Sequence, residues 1–96
     1  MKPENHKECP IAKIAQLLSD RWTILIIRDA LKQKMRFTDL EHSLVGISSR
    51  TLTAKIKRLE EENILIKDGS YYVISKNGKK LEGVLEAMSA CGRKLA

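Results

Sequence analysis

A chain of 96 residues has room for one ordinary domain around one hydrophobic core, and 43% hydrophobic against 31% charged residues suits a globular fold rather than a disordered tail. No apolar run approaches the roughly 18 to 20 residues of a membrane span, and the polar start Met1 to Glu8 lacks the apolar centre of a secretory signal, so the expectation is a cytoplasmic protein without a membrane partner. The net charge of +6 is concentrated: residues 21–58 hold nine basic side chains against three acids while the flanking segments balance, which points to a polyanionic partner.

In chain order, Pro10 suits the first position of a helix, and Ile11, Ile14, Ala15 and Leu18 follow at helical spacing. The first helix is therefore expected from Pro10 to about Leu18, with Cys9 as its N-cap. Ser19-Asp20 reads as the start of a second helix, Arg21 to about Gln33, with Trp22, Leu25, Ile26 and Leu31 facing inward and Ile24 and Ile27 widening the apolar surface. A basic connection, Lys32 to Arg36, leads to Thr38 and Glu41, whose spacing is that of a capping box and places the start of a short third helix at Thr38. Gly46 supplies its left-handed stop. Ser48 or Ser49 caps a fourth helix that reaches Glu62, with Asn63 as terminator.

Ile64 to Lys67 and Tyr71 to Ile74 are β-branched or aromatic runs separated by Asp68-Gly69, the signal of a two-stranded hairpin. From about Lys76 onward, Leu81, Val84, Leu85, Met88, Cys91 and Leu95 recur every three or four residues and describe a long amphipathic terminal helix. The sum is one mainly α domain over residues 1–96 with a small β-hairpin wing: a winged helix-turn-helix with N- and C-terminal dimerisation helices, the latter over about 76–96.

On a helical wheel the fourth helix places Leu52, Ile56 and Leu59 on one stripe and Arg50, Ala54 and Lys57 on the opposite side, flanked by Thr51, Thr53 and Arg58. The outward set matches the major groove of double-stranded DNA. Arg pairs bidentately with guanine, Thr and Ala meet thymine methyls, and Lys57 and Arg58 can hold phosphates. Glu60 to Glu62 are confined to the end of the helix that would leave the groove.

From Cys9 to about Leu85 the chain resembles the HxlR-type winged helix-turn-helix regulators. The landmarks are Cys9-Pro10, Arg21-Trp22-Thr23, Arg36-Phe37-Thr38-Asp39-Leu40, Gly46-Ile47-Ser48-Ser49-Arg50-Thr51-Leu52-Thr53, Leu59-Glu60 and Ile74-Ser75-Lys76-Asn77-Gly78-Lys79-Lys80-Leu81. The resemblance implies a dimeric DNA-binding transcription regulator whose reading helix contributes residues Ser48, Ser49, Arg50, Thr51, Thr53, Ala54, Lys57 and Arg58, with Arg36 on the DNA backbone. It also implies a longer, more basic wing than Asp68-Gly69 allows. With Lys67 beside Asp68 the tip charge cancels, and Lys67 is expected to supply at most one phosphate contact.

One helix rarely gives enough discrimination, so a homodimer is expected, with Ile11 and the terminal stripe Leu81, Val84, Leu85, Met88, Cys91 and Leu95 at the interface. Cys9, at a helix start where the dipole favours negative charge, is a candidate redox or electrophile sensor; the competing role is an inert cap. Cys91 is expected in the apolar stripe, more buried than reactive. A small-molecule or redox effector is compatible with these features. His6 and His42 lack companions at metal-ligand spacing, and no nucleophile elbow or phosphate-binding glycine loop is present, so neither metal, cofactor nor enzymatic activity is expected. A thiol enzyme built on Cys9 would have only His6 as a nearby base. The principal alternative is a winged-helix module that binds protein or RNA, since fold does not fix function.

Overall fold

The computed structural model describes residues 9–95; His6 and the rest of the start lie outside them. The chain forms α1 (Pro10–Leu17), α2 (Arg21–Lys32), β1 (Met35–Arg36), α3 (Phe37–Ser43), α4 (Ser49–Glu61), β2 (Leu65–Asp68), β3 (Tyr71–Ile74), a 3-10 turn (Gly78–Leu81) and α5 (Glu82–Lys94). None of the described helices is long and apolar enough to cross a membrane.

Each α1, α2 and α4 start follows from a capping side chain. The Cys9 sulfur accepts the Ala12 N–H at 3.4 Å, Asp20 accepts the Thr23 N–H at 2.9 Å, and Ser48 accepts the Thr51 N–H at 3.0 Å. α3 begins one residue before the expected Thr38. The side chain reaching back is that of Asp39, whose carboxylate accepts the Arg36 N–H at 2.9 Å. Glu41, the expected capping partner of Thr38, instead accepts the Ser49 hydroxyl at 2.7 Å and so ties α3 to the start of α4.

α2 is the central helix, packed on α3, α4 and β3. Its fully inward stripe is Thr23, Ile26, Ile27 and Ala30, whereas Trp22, Leu25 and Leu31 are half-buried at its margins. The expected stripe is thus rotated, because Thr23 can enter the core: its hydroxyl donates to Asp20 at 3.1 Å and leaves no unsatisfied polar atom there. Around it gather Leu40 and Leu44 of the α3 region, Leu52, Ile56 and Leu59 of α4, then Ile64, Leu65 and Leu81. Complete burial of a residue such as Ile26 contributes about 1.5–3 kcal/mol.

The sheet has three strands in the order β1-β3-β2, all antiparallel, where the sequence suggested two. The hairpin turn is Gly69-Ser70 rather than Asp68-Gly69, since Asp68 pairs with Tyr71 as the last residue of β2. Gly69, at φ +63°, takes the left-handed position that a two-residue hairpin demands. Gly46, at φ +93°, makes the turn between α3 and α4, and Asn63, at φ +60°, ends α4, both as expected.

The terminal helix does not start at Lys76. Gly78 is buried, and a Cβ there would lie 2.7 Å from the Ile64 carbonyl oxygen; here the chain makes a tight 3-10 turn against the link between α4 and β2 before α5 begins. That turn places Leu81 in the core, 5% exposed, which removes it from the surface the sequence assigned to a dimer partner. Leu85 packs against the same core. Cys91, expected to be buried, is exposed.

Candidate nucleic-acid interface

α4 divides cleanly into two sides. Leu52, Ile56 and Leu59 are fully or almost fully buried, while Arg50, Thr53, Ala54 and Lys57 are exposed. Arg50 and Lys57 make no hydrogen bond or ion pair with the other described residues, so their full donor sets face outward. None of the described residues covers this face.

The small hydroxyl residues fix the start of the helix. Besides its capping bond, Ser48 donates its hydroxyl proton to the Thr51 oxygen at 2.9 Å, and Thr53 donates to the Ser49 carbonyl at 2.8 Å. Thr51 is half-buried and sits on the margin of the face. The glycine turn and the Glu41–Ser49 bond hold α3 and α4 as one unit.

Two basic residues of the helix point elsewhere. Arg58 donates to the Gln16 carbonyl at 2.8 Å and to the Ser19 hydroxyl at 3.3 Å, so its guanidinium locks α4 to the α1–α2 junction. It was expected to hold phosphate; the structure gives it an internal task. Lys55 forms an ion pair with Asp20 at 3.0 Å.

Beside this unit, Arg36 ends β1 and caps α3, with its exposed guanidinium donating to the Tyr71 hydroxyl at 2.9 Å. Lys34 stands over the same ring, 4.4 Å from its centroid. Lys67 on β2 lies 5.7 Å from the Tyr72 ring. Sequence reading missed the grouping around Tyr71 because a two-residue strand carries no periodicity; the basic connection Lys32 to Arg36 was its only trace.

On the far side, Ile11 (80% exposed), Met88 (43%) and Leu95 (72%) stand out among the large apolar residues. Ile11, Ile14, Ala15, Leu18, Val84 and Met88 line one shallow depression between α1 and α5 with no polar residue among them. Cys9 is half-buried at the start of α1, and Cys91 is exposed on α5. Among the described residues no cluster of His, Cys, Asp and Glu could hold a metal ion.

The family model described as HxlR-like helix-turn-helix matches residues 17–96. An uncharacterized HTH-type transcriptional regulator of Synechocystis is 32% identical over 91 residues, covering 88% of this chain and 67% of the relative. The uncharacterized HTH-type transcriptional regulator YvaP of Bacillus subtilis is 32% identical over 89 residues, covering 84% and 82%. Among solved structures, quinone-bound YodB of B. subtilis superposes with a TM-score of 0.83 at 27% identity, over 91% of this chain and all of that one. A Porphyromonas gingivalis structure assigned to the MarR family of transcriptional regulators gives 0.88 at 22% identity over 99% and 100%, a likeness of fold alone.

Proposed function

The chain belongs to the HxlR-like helix-turn-helix family, whose curated relatives are HTH-type transcriptional regulators, and from that premise we propose that it is a homodimeric, sequence-specific regulator reading the major groove with α4. The observation that carries this reading is the uncovered face of Arg50, Ala54 and Lys57, cationic and free of internal partners among the described residues. Arg50 lies in the first turn of α4, the end that enters the groove, and is the residue assigned to guanine recognition. Ser48, Ser49, Thr51 and Thr53 frame it; Lys57 and Arg36 contact phosphates, and Lys67 supplies at most one further contact. Selection from a random duplex pool tests this. A recovered motif should be bound with an affinity that falls steeply with salt, and Arg50→Ala should reduce the preference for the motif over scrambled DNA by about 5- to 100-fold. A protein- or RNA-binding module would recover no motif.

A signal reaches such a dimer most directly through Cys9. YodB was crystallised with a quinone bound, and here Cys9 caps α1 next to the apolar α1–α5 surface, with Cys91 exposed on α5. Oxidation would join Cys9 to Cys91 of the partner subunit, two thiols giving one disulfide as an oxidant such as diamide takes up two electrons and two protons. Treated protein should then run as a dimer on non-reducing gels, and both Cys9→Ser and Cys91→Ser should abolish that band. A band that survives either change rules the pairing out.

A further inference from the structure

Outside the α4 face, a second cationic grouping stands at the base of the wing. Arg36 of β1 pairs across the sheet with Tyr71 of β3, and Lys34, two residues earlier, reaches the same ring. Lys34 Nζ is 4.4 Å and Arg36 Cζ 4.9 Å from the ring centroid, and Arg36 also donates to the Tyr71 hydroxyl at 2.9 Å. Both cations are exposed. Neither has a carboxylate partner, since the ion pairs among the described residues are Arg28–Asp29 and Lys55–Asp20. Asp39 is engaged by the Arg36 backbone N–H, and Asp68 lies on the far side of Tyr71, paired with it on β2. Two like charges gathered on one ring repel each other unless an anion sits between them.

Chain geometry says which anion. Arg36 is at once the end of β1 and the N-cap of α3, so the cluster moves rigidly with the unit that presents α4. The wing tip, a two-residue turn next to Asp68, offers no such charge. We propose that Lys34 and Arg36, positioned by Tyr71, clamp one backbone phosphate of the duplex at the base of the wing, replacing the contact a longer wing would make with its tip. The ring holds Lys34, and the hydroxyl fixes one of the five guanidinium donors of Arg36, leaving the others directed at the phosphate oxygens. This inference rests on the DNA-binding reading above.

The test is a set of anisotropy titrations over a range of salt concentrations, using the selected duplex and a scrambled one. Lys34→Gln should weaken both duplexes alike, by about 3- to 10-fold, and make the slope of log affinity against log salt shallower by about 0.9. Tyr71→Phe keeps both cations and should weaken both duplexes by about threefold with the wild-type slope. A Lys34→Gln protein with the wild-type slope, or one weakened on the selected duplex alone, overturns the clamp while leaving the regulator reading in place. Wild-type protein that binds neither duplex overturns both.

Discussion

Asp20 joins the start of one helix to the side of another. Its carboxylate accepts the Thr23 N–H at 2.9 Å and the Thr23 hydroxyl at 3.1 Å, and it meets Lys55 of α4 at 3.0 Å. Partial burial by itself would raise the carboxyl pKa; the Thr23 bonds and the Lys55 ammonium outweigh it and hold the group below its ordinary value. A depressed folded-state pKa contributes stability that is present above the unfolded value of about 3.9 and is lost as the pH falls through the folded one. Asp20→Asn keeps a good cap but loses the ion pair, which is largely solvent-screened, and should cost less than about 1 kcal/mol at pH 7. Asp20→Ala loses the cap as well and should cost about 1–2 kcal/mol. Urea unfolding checks the sign: the gap between wild type and Asp20→Asn should close as the pH drops from neutral to well below the carboxylate range. A gap of constant size would mean that the charge contributes nothing.

At the level of elements, local signals explain most of what folded as expected. The caps Cys9, Asp20 and Ser48, the left-handed residues Gly46 and Asn63, and the periodic apolar positions of α4 are all readable within one or two turns of chain. Where reading failed, the deciding contact was distant or two local patterns competed. Thr38 with Glu41 imitates a capping box, yet α3 takes Arg36 as its N-cap, whose N–H donates to Asp39, and Glu41 is left to accept from Ser49. β1 is two residues long and exists only because β3 offers it a partner more than thirty residues away. Arg58 looked like part of the cationic face because nothing in the α4 sequence reveals Gln16 and Ser19 above it. The same blindness applies at Gly78: an unbroken apolar repeat suggested one long helix, whereas the approach of the Ile64 carbonyl admits only a glycine and a tighter turn. The cationic face of α4 was legible, then, because it is a property of one helix, and the Tyr71 cluster was not, because it is assembled from two strands.

For the whole molecule, the break at Gly78 decides which part of the terminal stripe is left for a partner. With Leu81 in the core and Leu85 against it, the surface available for dimerisation is Ile11 with Val84, Met88, Cys91 and Leu95, formed by α1 and α5 together rather than by a single heptad seam. Such a face is costly to leave in water, and in the proposed homodimer a two-fold axis through it has to hold the two α4 helices about 34 Å apart to match one turn of duplex. Met88→Glu and Ile11→Glu put a charge into that face without disturbing the core, since both side chains are already exposed in the single chain. Each should retain the wild-type circular dichroism spectrum, sediment as a monomer at micromolar concentration, and bind the selected duplex at least about tenfold more weakly, a loss of about 1.4 kcal/mol or more. Leu81→Glu, by contrast, buries an unpaired carboxylate and should unfold the chain. Sedimentation of the wild type as a monomer under the same conditions, or of Met88→Glu as an intact dimer, would remove the α1–α5 face from the interface. The half-site spacing of the selected duplex would then need another explanation than the pairing of these two helices.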